Sequence, residues 1–74
     1  MPRLPVISGR DFIKVLKRIG FEESRQKGSH VILTRDRDQL SVSVPDHSEL
    51  DRGTLNSLMK SVGMSREDLM KLLR

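Results

Sequence analysis

The sequence predicts an α+β fold with the element order α-β-β-β-α and a short additional helix at the C-terminus. Apolar residues recur at helical spacing towards both ends of the chain, whereas they alternate with polar residues in the middle. A three-stranded antiparallel sheet of this kind buries one face beneath the two main helices and leaves its other face open. The length of 74 residues predicts one domain, spanning residues 1–74, with a thin core.

Each predicted helix begins after a residue that can cap it. Ser8 and Ser65 precede two of the apolar repeats, and each is followed three residues later by an aspartate, a variant of the capping box. Asp51 holds the same position before the third repeat. Gly20 and Gly63 fit the left-handed position that ends a helix. These signals predict helices at residues 9–19, 52–62 and 66–73.

The strands are predicted from shorter patterns. Leu40, Val42 and Val44 alternate with serines, which is typical of a half-buried strand, and Pro45 ends that strand because it cannot donate to the sheet. A β-branched run at residues 31–34 predicts a second strand. Residues 21–26 are a weaker candidate for the third. Residues 35–39, which include Arg35, are predicted to form the loop of a hairpin.

Strand alternation also predicts which side chains face outward in the strand at residues 31–34. Val31 and Leu33 would point into the core, so that His30, Ile32 and Thr34 would share the open face. An isoleucine on an open face is unusual for a chain without a partner. A partner that covers this face is one explanation.

Composition narrows the class of partner. The formal net charge is +4 and the isoelectric point is about 10.1, which favours a polyanion such as nucleic acid and, after it, an acidic protein. The chain contains no Trp and no Tyr, so contacts with an RNA backbone should dominate over base stacking. There is no cysteine, no segment long enough to span a membrane and no apolar signal sequence, and we expect a cytoplasmic protein.

His30 is the first candidate for chemistry. Histidine transfers protons near neutral pH, and Gly28 beside it permits close approach of a phosphate. Arg25 and Lys27 are placed to hold that phosphate and to stabilise charge that develops on it. The simpler interpretation is structural, because a histidine at the start of a strand often does no more than donate a hydrogen bond.

His47 is the second histidine. The run Asp46-His47-Ser48 contains the residue types of a hydrolase triad, but adjacent residues seldom converge in space as a triad must. We interpret the run as a turn that leads into the second helix.

Four stretches together give the sequence a family resemblance. They cover nearly the whole chain: "SGRDFIKVLKRIGFE", "RQKGSHVIL", "SVSVPDHSELDRGTL" and "GMSREDLMKLL". In this order they resemble the HicA family of bacterial toxins, also described as YcfA-like messenger-RNA interferases. Many relatives carry a second histidine directly after the first, where this chain has Val31.

The resemblance implies a fold like the double-stranded-RNA-binding domain and a type II toxin that cleaves messenger RNA. It implies that His30 is the catalytic residue, and that a HicB-type antitoxin neutralises the toxin. Arg25, Lys27, Gly28 and Ser29 are the expected RNA-binding residues, and no metal or other cofactor is expected. Two alternatives remain: a non-catalytic RNA-binding module with a structural His30, and a protein-interaction domain with an acidic partner. An RNA-binding surface at Arg3, Arg10 and Lys14 is a further option.

Overall fold

The computed structural model describes residues 4–74 and has the predicted order of elements. Helix α1 is followed by a three-stranded antiparallel meander in the order β1-β2-β3, and α2 and α3 complete the chain. The elements are α1 Gly9–Arg18, β1 Glu22–Lys27, β2 His30–Arg35, β3 Leu40–Pro45, α2 Arg52–Val62 and α3 Arg66–Leu72. This is an α+β architecture with an open sheet, as in the double-stranded-RNA-binding fold. None of the described helices is long and apolar enough to cross a bilayer.

The helix caps are those that the sequence predicts. The Ser8 hydroxyl accepts a hydrogen bond from the Asp11 amide at 3.0 Å, and Ser65 accepts one from Asp68 at 3.1 Å; both pairs close a capping box. The carboxylate of Asp51 accepts the Thr54 amide at the start of α2. Local chemistry therefore sets the start of every helix.

The core lies between the inner face of the sheet and the helices. Every second residue of β2 and β3 is buried, and α1 and α2 supply the opposite side of the core. The largest fully buried side chains are Phe12, Val15, Leu16, Phe21, Val31, Leu33, Val44, Leu55 and Leu69. The methionines Met59 and Met64 belong to the same cluster, as filler of the core.

The prediction that Arg35 belongs to the hairpin loop is wrong. Strand β2 continues through Arg35, and only residues 36–39 form the loop. Arg35 is buried, with 7% of its surface exposed. Asp38 accepts two hydrogen bonds from its guanidinium group, the Ile19 carbonyl accepts a third, and the centre of the Phe21 ring lies 4.6 Å from the guanidinium carbon. A charged residue is compatible with this buried site since its donors are paired there.

The segment after β3 is tied by its backbone to three other parts of the chain. The Asp46 amide donates to the Ser29 carbonyl at 2.7 Å, and the Gly9 amide donates to the His47 carbonyl at 2.9 Å. The Leu50 amide donates to the Ile7 carbonyl at 2.8 Å. Helix α1, the β1–β2 turn and the end of β3 are thereby fixed relative to one another.

Gly9 allows α1 to approach β3 closely. A Cβ atom at this position would overlap the carbonyl oxygen of Pro45. We expect Gly9→Ala to destabilise the protein by about 1–3 kcal/mol, the range typical of overpacking, because backbone rather than a flexible side chain must move. Urea denaturation measures the loss. Gly53→Ala is the matched control, since a Cβ at residue 53 meets no atom within 4 Å; equal stability of the two variants would contradict the prediction.

Candidate nucleic-acid interface

His30 is exposed at the first position of the central strand. Its neighbours Val31 and Leu33 are buried while Ile32 and Thr34 are partly exposed, so the outward set is the one that alternation predicts. Within residues 4–74 the imidazole makes no hydrogen bond or ion pair. The ring is accessible to a ligand.

The two predicted cations lie on the same face of the sheet as His30. Lys27 pairs directly with His30 across β1 and β2, and Arg25 pairs with Ile32. Side chains of directly paired residues project from the same face of an antiparallel sheet. Lys27, Arg25 and His30 therefore form one group, which we call the cationic cluster.

A β-bulge at Ser24 gives Arg25 and Lys27 this orientation. The register shifts between Glu23 and Arg25, and the Ser24 hydroxyl donates to the Ile32 carbonyl at 3.2 Å. Glu23, before the bulge, faces α1 and forms an ion pair with Lys17 at 2.7 Å. Without the extra residue, strict alternation would turn both cations of β1 to the inner face. The pattern of residues in β1 does not predict the bulge.

Gly28 and Ser29 form a tight turn between β1 and β2. Lys27 and His30 close a two-residue hairpin, and Gly28 has a φ of 60° while Ser29 has a negative φ. This is the pattern of a type II′ turn, which favours glycine at its first central position. The turn holds Lys27 opposite His30, and the Ser29 carbonyl is engaged by the Asp46 amide.

An open groove of about 620 Å³ begins at His30 and runs between β3 and the first half of α2. The groove is shallow and largely open to solvent. Its lining includes His30, Ser43, Pro45, Asp51, Gly53 and Ser57. No functional role was predicted from the sequence for the residues of α2. The signal available there was a pair of small residues one turn apart, Gly53 and Ser57, on an exposed helix face.

His47 does not belong to the lining of this groove. Its carbonyl accepts the Gly9 amide, and its side chain interacts electrostatically with Asp51. The segment around it is a connection into α2, as the sequence indicates.

The alternative cationic surface on α1 is only partly described. Arg3 lies outside the described residues. Arg10 forms two hydrogen bonds of 3.1 Å with the carboxylate of Asp46 and lies 3.8 Å from that of Glu23. Lys14 is exposed on α1, whose buried side chains face the core beneath the sheet. Lys14 is thus separated from the open face that carries His30.

Four carboxyl groups have a pKa below the ordinary value, and one of them lines the groove. Hydrogen bonds from Thr54, reinforced by nearby His47, lower the pKa of Asp51. The Lys17 ammonium lowers the pKa of Glu23, the Arg35 guanidinium lowers that of Asp38 and the Ser65 cap lowers that of Asp68. Each of these carboxyl groups stabilises the folded protein at pH values above its pKa in the unfolded chain. This stabilisation is lost as the pH falls through the pKa of the same group in the folded protein.

We expect acid to destabilise the protein at pH values below about 4, where these carboxyl groups take up protons. Asp51→Asn should weaken this pH dependence and leave stability near neutral pH almost unchanged, because asparagine caps a helix as well as aspartate but does not titrate. Urea midpoints across the acid range measure the effect. Asp36→Asn, in the exposed β2–β3 loop, is the control; identical pH profiles for wild type and Asp51→Asn would contradict the prediction.

The comparisons with known proteins agree with the sequence motifs. A family model described as "HicA toxin of bacterial toxin-antitoxin" matches residues 9–64, which include the cationic cluster and the whole of α2. No curated protein sequence matches the chain.

Proposed function

This chain belongs to the HicA family of toxins from bacterial toxin–antitoxin systems, and we propose that it acts as a metal-independent endoribonuclease on messenger RNA with His30 as the catalytic residue. The observation that carries the proposal is the cationic cluster. An accessible imidazole lies on one open sheet face with a lysine directly across from it and an arginine beside that lysine. An RNA phosphate bound by the two cations would be within reach of the imidazole.

The proposed reaction uses the substrate's own ribose as the nucleophile. His30 accepts the proton of a 2′-hydroxyl, and the 2′-oxygen forms a bond to the adjacent phosphorus. The bond from phosphorus to the 5′-oxygen breaks, and that oxygen takes up a proton from a general acid or from water. The products are a 2′,3′-cyclic phosphate and a free 5′-hydroxyl. Arg25 and Lys27 stabilise the extra negative charge on the phosphorane.

The reaction so written needs no activated water and therefore no metal to generate one. Among residues 4–74 no three His, Asp or Glu side chains converge as metal ligands. Messenger RNA and the antitoxin are both met in the cytoplasm, where we expect the toxin to act. The rival function, RNA binding without cleavage, predicts the same salt dependence but no cleavage products.

His30→Ala should lower the rate of RNA cleavage by about 10²–10⁴-fold, the range typical of general acid–base catalysis. The side chain is exposed, so the variant should keep the fold and bind RNA nearly as well as the wild type. The assay is cleavage of end-labelled RNA in the presence of EDTA, with circular dichroism as the check on folding. His47→Ala is the matched control. Cleavage by His30→Ala at the wild-type rate would refute the catalytic assignment of His30, whereas loss of wild-type cleavage in EDTA would refute a metal-independent mechanism.

RNA affinity should fall steeply with salt concentration, because lysine and arginine displace counterions from the phosphates. Arg25→Ala and Lys27→Ala should each reduce the slope of log K against log salt by about one. Filter binding at several salt concentrations measures the slope. Arg37→Ala removes an exposed charge at the opposite end of the sheet and should leave it unchanged. If the β1 variants keep the wild-type slope, RNA binds elsewhere.

We further propose that a HicB-type antitoxin covers the open face and buries His30. Ile32 lies on that face, two residues from His30 and half-exposed. Ile32 offers an apolar contact beside the basic side chains of the cationic cluster, so this surface suits an acidic partner that also presents an apolar residue. Opposite charges on the two proteins would increase the rate at which they associate.

Ile32→Asp should leave the fold intact and weaken antitoxin binding, because it changes the open face alone. Leu33→Asp, the adjacent residue in the core, should unfold the protein, since it buries an unpaired charge. Thermal unfolding and titration with the antitoxin measure the two effects. Unfolding of both variants, or wild-type affinity in Ile32→Asp, would argue against this interface.

A further inference from the structure

The groove beside His30 differs in character from the cationic cluster. The cations Lys27 and Arg25 lie on the β1 side of the central strand, whereas the groove lies on the β3 side. Its lining includes the polar residues Ser43, Ser57 and Asp51, together with the apolar residues Pro45 and Leu58. One side of His30 is therefore suited to an anion and the other to neutral polar groups.

We propose that this groove binds the ribose and base of the nucleotide on the 5′ side of the cleaved bond, while the scissile phosphate lies over the cationic cluster. The inference rests on the proposed ribonuclease function and adds the direction in which the RNA crosses the sheet. His30 takes the proton of the 2′-hydroxyl, so the ribose that carries this hydroxyl must touch His30. The groove begins there and extends away from the cations.

Charge supports this division of the substrate. The carboxylate of Asp51 is ionised at neutral pH, as an aspartate ordinarily is, and hydrogen bonds from Thr54 lower its pKa further. A carboxylate repels a phosphate but accepts hydrogen bonds from hydroxyl and amino groups. A nucleoside offers such donors on its ribose and on its base. Asp51 thus disfavours phosphate in the groove and favours a nucleoside there.

The shape of the groove wall formed by α2 also supports the placement of the nucleoside in the groove. Gly53 is the second residue of α2, and a Cβ at this position would meet no protein atom within 4 Å. Packing within the described chain does not require a glycine here. A ligand that approaches the backbone of α2 does require one. Ser57, one turn later, is also small and exposed, so both residues keep the groove wide.

The test compares two identical substitutions one turn apart on α2. Ser57→Leu fills the groove, whereas Ser61→Leu places the same side chain on the exposed surface outside it. Ser57→Leu should lower kcat/KM for RNA cleavage by about tenfold to a hundredfold, since misplacement of a substrate near the reacting atoms has effects of this size. It should also change which nucleotide is preferred on the 5′ side of the cut. Ser61→Leu should match the wild type in both respects.

Gly53→Ala is a second, smaller obstruction with an independent readout. It should fold at least as stably as the wild type and still cleave RNA more slowly, mainly through a higher KM. If both Ser57→Leu and Gly53→Ala cleave RNA at the wild-type rate and with the wild-type pattern, the nucleoside does not bind in the groove. The proposed ribonuclease function would be unaffected by that result. Normal cleavage combined with loss of antitoxin inhibition would also overturn it, because the groove would then serve a protein partner. Absence of cleavage by the wild type would refute the proposed function itself.

Discussion

The alternation of side chains along β2 is the constraint on which core and interface both depend. Val31 and Leu33 point into the core, and this orientation obliges His30 and Ile32 to face outward. A shift of one residue in the register of β2 would bury the histidine and expose the leucine. The large free-energy cost of exposing core residues therefore also keeps the imidazole on the open face. The two-residue turn at Gly28 and the backbone bond from Asp46 to Ser29 fix the end of this strand. The backbone at His30 is thus held in place by packing on the other face of the sheet.

Features governed by neighbours in sequence were predicted well. The caps at Ser8, Asp51 and Ser65 lie within three residues of the groups that they satisfy, and the order of elements follows from them and from periodicity. Arg35 was assigned to the loop because its partners, the Ile19 carbonyl and the Phe21 ring, are distant in sequence and were not foreseen. Because arginine is charged, Arg35 was predicted to lie at the surface.

The arrangement of side chains around His30 was also predicted only in part. The exposure of His30 and its association with Arg25 and Lys27 follow from residues that are close in sequence, although the orientation of the two cations depends on the bulge at Ser24. The groove could not be predicted, because it needs the position of α2 relative to β3, and these elements are joined by a connection with no regular pattern. Periodicity determines which face of an element is buried but does not determine how two elements are placed side by side.

The bulge has a second effect, which concerns self-association. β1 is an edge strand, and an unpaired edge is a template to which another chain can add a strand. All six of its residues are exposed, four of them carry charge, and the bulge interrupts the regular spacing of its backbone groups. Growth of a continuous sheet from one molecule to the next is disfavoured at this edge. The residue that directs the cations towards the open face therefore also opposes aggregation of the free protein.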